Sequence, residues 1–287
     1  MATILSIPEV HSRPDTLASY RIAVEQVVLR MRERICEELP LERMAEMAGA
    51  SPFHFLRIFR RFTGVPPVHF LHALRMEEAK RLLLTTDLSV TDICFEVGYN
   101  SLGTFTTRFT QLVGLSPTRM RRLGQGFRLE MLTGLADRLG AAAPMSSPSS
   151  LTGRVLADDI ASGPLFIGLF STPIPQQRPL ACTLLTRPGP FRLATPGPGR
   201  FFVFAACFAW TSDPVDFLLA SRAVRRVASS GRVTVRAGLG TEPVDLHLRP
   251  LEVLDPPLLV ALPLLVAERR ERSLGDLQPL AQVPAGM

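Results

Sequence analysis

Lysine is almost absent from this chain of 287 residues, because Lys80 is the one lysine among 32 basic residues. All the other basic residues are arginines, whose planar guanidinium groups suit phosphate and guanine. A GC-rich coding sequence would give the same bias, and that alternative stays open. The 26 acidic residues leave a formal net charge of +6, so the composition is compatible with a polyanionic partner.

Cysteine and long apolar runs are also scarce. The four cysteines are Cys36, Cys94, Cys182 and Cys207. They form no C-x-x-C pair, so we expect reduced and mostly buried thiols rather than disulfides or a metal site. The longest apolar run, residues 256–267, is too short to span a bilayer. The N-terminus lacks the basic start and apolar core of a signal peptide. These features predict a cytoplasmic protein with no membrane partner.

The sequence contains no nucleophile motif, phosphate-binding loop or cluster of metal ligands. His69 and His72 have the spacing of helical neighbours, but no further ligand lies near them in the sequence. A solvated or hydrogen-bonded pair is therefore favoured over a metal site. Cys182 and Cys207 lie in apolar segments, which favours burial over a reactive thiol. We expect neither enzymatic activity nor a cofactor nor a bound metal.

What the chain does contain is an internal repeat in its first half. Leu41 aligns with Val90 and Gly49 with Gly98, at an offset of 49 residues. After this glycine the offset becomes 50, and the aligned pairs are Ser51 with Ser101, Phe55 with Phe105, Phe59 with Phe109, Gly64 with Gly114 and Pro67 with Pro117. Each copy has a short apolar-striped helix, a glycine turn, a serine N-cap and a second helix with inward phenylalanines. The repeat predicts two helix-turn-helix units.

Two further helices are expected around these units. Residues 68–86 are predicted to form one long helix between the copies. Residues 22–39 are predicted to form an amphipathic helix ahead of both. The inward positions of this first helix are Val24, Val27, Val28, Met31 and Ile35.

Three segments together resemble a known family. They are LERMAEMAGASPFHFLRIFRRFTGVPP, LRMEEAKRLLLTTDLSVTDICFEVGYNS and RFTQLVGLSPTRMRR. On these motifs, residues from about 20 to 122 resemble the DNA-binding domain of the AraC family of bacterial transcription regulators. The resemblance implies seven helices, with two recognition helices that enter successive segments of the major groove on one DNA face. It implies double-stranded DNA as a partner and makes RNA polymerase a candidate partner.

On the first recognition helix, the positions opposite the phenylalanine stripe should face the groove. They are Phe53, Leu56, Arg57 and Arg60. By resemblance, Phe53, Leu56 and Arg57 occupy the base-contacting positions of the family. Arg57 is expected to pair with O6 and N7 of guanine, and a phosphate contact or a solvated charge remains the alternative. Arg60 is expected to meet phosphate or water.

The second recognition helix departs from the family pattern. Its outward positions are Leu102, Gly103, Thr104 and Thr107, with Arg108 near the edge. The family usually has an arginine two residues after the core aromatic, which is Phe105 here, but that position is Thr107. We therefore expect the first unit to supply most of the sequence specificity and the second to position the protein. The departure also keeps another hypothesis open, a protein-binding scaffold whose helical half has lost specific DNA recognition.

The second half of the chain has short apolar runs between proline and glycine residues. The candidate strands are residues 151–156, 165–170, 181–185, 191–194, 200–208, 232–237, 244–248 and 258–262. Residues 214–229 are predicted to form one helix. This pattern predicts a small β-sandwich and is loosely similar to transthyretin-type and carboxypeptidase-regulatory-type modules.

The predicted fold is therefore multi-domain, an all-α double helix-turn-helix domain followed by a β-rich, sandwich-like domain with one helix. The predicted divisions are an N-terminal arm (1–19), the DNA-binding domain (20–124), a helical extension over 127–139 and linker within 125–150, the β-rich domain (151–270) and a C-terminal tail (271–287). The β-rich domain is expected to sense a small, partly apolar effector or to bind an effector protein. In its strand 200–208, alternation should send Phe202, Phe204 and Phe208 to one face and Phe201 to the other. Trp210 is the predicted ligand contact, because its ring can cover a pocket rim.

Overall fold

A computed structural model describes residues 14–126, 150–158, 163–177, 179–209, 214–236 and 242–260. Its first half is helical and its second half is built of strands, as the sequence predicts. The helices of the first half are α1 (Pro14–Glu33), α2 (Leu41–Met47), α3 (Pro52–Thr63), α4 (Pro67–Thr85), α5 (Val90–Glu96), α6 (Leu102–Val113) and α7 (Pro117–Gly126). The predicted extension over 127–139, most of the linker, Trp210 and the tail lie outside the described residues.

Helix α1 differs from its prediction at both ends. It begins at Pro14 rather than residue 22 and ends at Glu33 rather than residue 39. Residues 34–36 form a turn, and the extended residue Pro40 is the N-cap of α2. A proline disfavours helical conformation in the residue before it, so the first helix cannot run directly into the second. The predicted inward side chains are confirmed, because Val24, Val27, Val28 and Met31 are buried and Ile35 is partly buried.

Each helix-turn-helix unit is built around a pair of phenylalanines. The rings of Phe55 and Phe59 lie 5.5 Å apart in the first unit. Those of Phe105 and Phe109 lie 5.8 Å apart in the second. All four side chains are fully buried. The phenylalanine stripe of each second helix is therefore core, as predicted, and the opposite side of that helix is left for a partner.

The second half forms two sheets. The strands are β1 (Ser150–Leu156), β2 (Leu165–Phe170), β3 (Ala181–Leu185), β4 (Pro190–Ala194), β5 (Gly199–Phe208), β6 (Val224–Val235), β7 (Val244–His247) and β8 (Arg249–Pro250). One sheet has the order β4-β1-β7, in which β1 pairs antiparallel with β4 and parallel with β7. The other has the order β3-β2-β5-β6-β8 and is antiparallel throughout.

The two sheets enclose a common core, as expected of a sandwich. Leu151 and Leu193 from the three-stranded sheet belong to one buried cluster with Ile167 and Val203 from the five-stranded sheet. The predicted alternation of β5 is confirmed. Phe201 points into this cluster, and Phe208 belongs to a second cluster on the opposite face of the sheet.

The predicted helix over residues 214–229 is wrong in most of its length. Residues Pro214–Phe217 form a turn of 3₁₀ helix and Ala220–Ala223 a single helical turn, α8, after which β6 begins at Val224. The segment fits a helical period equally well, but β6 pairs with β5 from Val224 to Val235. Pairing with a distant strand overrides the local pattern. A strand is also expected over residues 258–262, but residues 258–260, the described part of this range, form none. The last strand in the described residues is β8 (Arg249–Pro250).

The outer face of the five-stranded sheet packs against the helical half. Phe166 and Phe208 share one buried cluster with Phe105 and Phe109 of the second unit. This explains why every residue of β2 is buried, since the other sheet covers one face and the helices cover the other. Within the part of the chain that the structure describes, no helix is both long and apolar enough to cross a membrane.

Candidate DNA-binding surface

Glycines in the left-handed region shape both units. Gly49 and Gly98 occupy the two turns with φ of 60° and 79°, and Gly64 and Gly114 end the two second helices with φ of 76° and 91°. Residues with a Cβ rarely adopt these angles, which is why glycine stands at the same place in both copies. The two turns therefore share a left-handed glycine at the same place, although the second turn is one residue longer.

Serine N-caps start both second helices. The Oγ atom of Ser51 accepts a hydrogen bond from the backbone N–H of His54 at 3.4 Å, and Ser101 accepts one from Thr104 at the same distance. A serine at this place satisfies one of the N–H groups that a helix start leaves unpaired. Because each second helix begins with a serine N-cap and buries a phenylalanine stripe, α3 and α6 expose corresponding positions on their outer sides.

The four residues predicted on the outer side of α3 do share that side. Phe53 is 79% exposed, an unusual state for a phenylalanine. Arg57 and Arg60 are exposed, and Leu56 is half-buried. The arrangement brings two apolar groups, suited to thymine methyls, beside two guanidinium groups, suited to guanine or phosphate. The described part of the C-terminal half leaves this surface open.

Two successive hydrogen bonds connect Arg57 to α1 through His54. The Nη2 atom of Arg57 lies 3.1 Å from Nδ1 of His54, and Nε2 of His54 lies 3.1 Å from the hydroxyl of Tyr20 in α1. Because an arginine can only donate, Nδ1 of His54 accepts, which places the ring proton on Nε2, facing Tyr20. Neither Tyr20 nor His54 is predicted from the sequence as a supporting residue. The one signal for His54 was its spacing of three residues from Arg57 on a helix.

The outer side of α6 carries fewer groups that can distinguish bases. Leu102, Gly103, Thr104, Thr107 and Arg108 are all exposed, so the predicted residues again share one surface. Leu102 is a large exposed apolar residue, as Phe53 is on α3. The hydroxyl of Thr104 donates to Ser101 at 3.3 Å within the cap. This composition is suited to backbone and methyl contacts more than to hydrogen-bond recognition of bases.

Arg75 of α4 links the segment after α1 to the turn of the second unit, and nothing in the sequence indicates this role. Its guanidinium donates to the carbonyls of Ile35 and Glu37 after α1, at 3.0 and 2.8 Å, and to Gly98 in the second turn at 3.0 Å. The side chain is buried, and burial lowers the pKa of Arg75 from its ordinary value. Three carbonyl acceptors compensate the desolvated charge. The result is a fixed link between α1, α4 and the second turn.

His72 of α4 contacts the turn of the second unit through Tyr99. Its Nδ1 atom is 3.0 Å from the hydroxyl of Tyr99. Burial, with the charges of Arg108 and Arg75, lowers the pKa of His72 to about 4, so the ring is neutral at neutral pH. The sequence favours a solvated or hydrogen-bonded His72 over a metal ligand, and the contact with Tyr99 agrees with a hydrogen-bonded role. In the described residues, no group of three or more His, Cys, Asp or Glu is placed to hold a metal ion.

The cysteines only partly match their prediction. Cys94 and Cys207 are buried, as expected, whereas Cys36 is exposed and Cys182 is half-buried. Cys36 is exposed because it lies in the turn after α1, where the sequence predicted a continuing helix. The predicted ligand contact, Trp210, lies outside the described residues, so its role stays a prediction.

Comparison with known proteins gives matches to the helical half. A family model described as a helix-turn-helix domain matches residues 44–123. Residues 44–123 form an AraC-type helix-turn-helix domain. The MmsAB operon regulatory protein of Pseudomonas aeruginosa is 41% identical over 98 residues, which are 33% of this chain and 32% of that protein. The transcriptional activator AarP of Providencia stuartii is 28% identical over 121 residues, 42% of this chain and 89% of AarP.

A solved structure matches the same region. The DNA-binding domain of AdpA, a global transcriptional factor, in complex with a target DNA, is 31% identical and covers 36% of this chain and 94% of that domain, with a TM-score of 0.35. The AraC-type domain of this chain contains both candidate recognition helices, α3 and α6. The match to the MmsAB regulator spans less than a third of that protein's length.

Proposed function

We propose that this protein is a sequence-specific DNA-binding regulator of transcription whose C-terminal half senses a ligand or mediates association. The observation that carries the proposal is the outer side of α3, where the exposed Phe53 and Arg57 stand on a helix anchored by buried phenylalanines. An exposed aromatic ring beside a guanidinium suits the major groove, which offers thymine methyls and guanine acceptors. The AraC-type domain and the names of its relatives support this function.

The two units have unequal roles in this proposal. Arg57, Phe53 and Leu56 contact bases, and Arg60 contacts phosphate. On α6, Leu102, Gly103, Thr104 and Thr107 lie against the groove, and Arg108 contacts the backbone. The first unit therefore supplies most of the sequence preference, and the second adds phosphate contacts that fix the position of the protein on DNA.

The remaining parts of the proposal concern the whole protein. It acts in the cytoplasm on double-stranded DNA, with RNA polymerase as a candidate partner, and it catalyses no reaction. The division into an arm, a DNA-binding domain, a linker, a β-rich domain and a tail is part of the same proposal. The strand-rich half, which extends beyond the AraC-type domain, provides the input that a regulator requires.

A genomic pull-down with the full chain tests the proposal. Sheared genomic DNA is captured, sequenced and searched for recurrent short motifs. We expect one motif with two blocks about one helical turn apart, because two recognition helices on one face of DNA have that spacing. Uniform recovery of the genome would refute sequence-specific regulation and would favour the scaffold hypothesis, in which the sandwich contacts another protein.

A further inference from the structure

A pocket of about 340 Å³ lies between the end of α3 and the outer face of the five-stranded sheet. The helical half contributes Phe62, Thr63 and Gly64 to its lining, and β5 contributes Phe202 and Phe204. The rest comes from β6, from β8 and the segment after it, and from two prolines between β2 and β3. Small-molecule sites in proteins have volumes of roughly 300–1,000 Å³ and occur preferentially between domains. The pocket is therefore large enough for a ligand and lies in a typical place for one.

The pocket is separate from the proposed DNA contacts but lies on the same helix. Phe53, Arg57 and Arg60 occupy the outer side of α3, whereas the pocket meets its C-terminal end. There Gly64 is the left-handed C-cap, and its N–H donates to the carbonyl of Arg60 at 2.9 Å. The hydroxyl of Thr63 bonds the carbonyl of Phe59 at 2.9 Å. A molecule in the pocket would thus touch the hydrogen-bonded cap of the first recognition helix.

The lining indicates what kind of molecule fits. Phe62, Phe202 and Phe204 supply aromatic walls. The charged side chains among the described lining residues, Arg249 and Asp255, bond each other with two contacts of 2.5 and 2.7 Å. A charged ligand would have to compete with one partner of this pair and leave the other uncompensated. An uncharged ligand would leave the Arg249–Asp255 pair intact. Ser229, which also lines the pocket, offers such a ligand a hydroxyl for a polar contact.

We propose that this pocket binds an uncharged, largely aromatic small molecule, and that this molecule is the effector through which the C-terminal half regulates DNA binding. The inference rests on the proposed function, since an effector requires a DNA-binding activity to control. A ligand in the pocket contacts residues of the helical half and of the strand-rich half at once. It therefore stabilises the arrangement in which the end of α3 lies against β5, and it shifts DNA affinity by its preference for that arrangement.

The pocket is tested first without DNA. The probe is N-phenyl-1-naphthylamine, an uncharged aromatic compound whose emission rises in apolar surroundings, titrated into the full chain. Leu251→Trp and Ser229→Trp fill the pocket from two different segments. Val253→Trp is the matched control, because Val253 is 40% exposed and Leu251 39%, but only Leu251 lines the pocket. We expect both filling variants to weaken probe binding about tenfold or more, and the control to bind as wild type does.

Melting temperatures confirm that each variant is folded, and two filling variants ensure that one failure to fold does not end the test. No probe binding by the wild-type chain would overturn the site. So would equal binding by wild type and a folded filling variant, or an equal loss in the Val253→Trp control.

The effector role is tested with a DNA duplex selected by the wild-type chain from a random pool. We expect a saturating probe to change the dissociation constant for this duplex about fivefold or more in the wild type, and to have no effect in Leu251→Trp. A bound probe that leaves DNA affinity unchanged would overturn the effector role while the proposed function stands. Failure to select any sequence would contradict the proposed function itself, and the probe titration would still decide whether the pocket binds its ligand.

Discussion

The Nζ atom of Lys80 donates a 3.3 Å hydrogen bond to the backbone carbonyl of Leu258, across the boundary between the helical and strand-rich halves. Lys80 is 1% exposed, and it lies within α4 beside a cluster that both halves share. Burial lowers the pKa of Lys80 to about 8, although the charge of Glu77 opposes the shift. The only lysine of the chain is thus a desolvated amine at the junction of its two halves.

Lys80 should make stability depend on pH in the alkaline range. The pKa is about 8 in the folded protein and 10.5 in its ordinary state, so between these values the unfolded chain binds the proton more readily. The free energy of unfolding should therefore rise as the pH increases from about 8 to 10.5. Urea unfolding of the wild type and of Lys80→Met over this range measures the effect. Lys80→Met should lack this rise in the free energy of unfolding, whereas the control variant Arg81→Met, a change at the neighbouring residue, should retain it. If the free energy of unfolding depends on pH equally in all three proteins, the lowered pKa of Lys80 is contradicted.

The two turn glycines should differ in how they tolerate a methyl group. Both have positive φ, which costs an alanine about 1–2 kcal/mol. A Cβ on Gly98 would in addition lie 2.7 Å from the carbonyl oxygen of Cys36 and 2.9 Å from Nη2 of Arg75, whereas a Cβ on Gly49 meets nothing within 4 Å. Gly98→Ala should therefore destabilise the protein clearly more than Gly49→Ala does. Denaturant unfolding of the two variants measures this difference in stability. Similar losses of stability would show that the atoms around Gly98 move aside at little cost.

Arg57 and Arg108 should have different effects on DNA binding. Arg57→Ala should lower affinity for the selected duplex by about 1–3 kcal/mol and relax the preference at one base pair. Arg108→Ala should weaken binding to all sequences and reduce the dependence of affinity on salt, as loss of a phosphate contact does. Binding titrations on single-base variants of the duplex, at several salt concentrations, distinguish the two patterns. An Arg57→Ala protein with full base preference would refute the assignment.

Tyr20 and His54 should influence specificity without touching DNA. Because His54 accepts from Arg57 and is held by Tyr20, His54→Leu should reduce the base preference assigned to Arg57 several-fold. His54→Gln, which keeps an acceptor near the same place, should restore part of it. Tyr20→Phe should have a smaller effect of the same kind. The readout is the ratio of affinities for matched and single-mismatch duplexes, which a purely structural loss would not change selectively.

The helical half should fold alone but with lower stability. A fragment of residues 1–138 retains the AraC-type domain and is expected to be helical and to bind DNA. It lacks Phe166, Phe208 and the other strand residues that cover the second unit, so apolar area becomes exposed and the melting temperature should fall. Circular dichroism and DNA titration of the fragment beside the full chain provide the measurement. An unfolded fragment would show that the two halves form one cooperative unit.

Much of the helical half was predictable because its signals are local. Glycine at both turns, serine at both N-caps and phenylalanine at helical spacing each act within a few residues of their own position. The residues on the outer sides of α3 and α6 followed from the same period, since the side opposite a buried stripe is exposed. The supporting partners were not predictable in this way. Tyr20 is separated from His54 by 34 residues, and Arg75 reaches Glu37 across 38.

The sequence by itself determined that the chain has a double helix-turn-helix half and a strand-rich half, because apolar spacing, turns and caps are properties of short segments. Only the tertiary structure decided that residues 224–229, predicted as helix, belong to the same strand as residues 232–235, since a segment with two compatible periods takes the one that pairs with β5. The tertiary structure alone also placed the outer face of the sheet against the second unit, formed the pocket at the end of α3 and buried Lys80. The packed sheet face, the pocket and the buried lysine all depend on contacts between segments that are distant in the sequence. Burial is a property of the assembled fold rather than of any one segment.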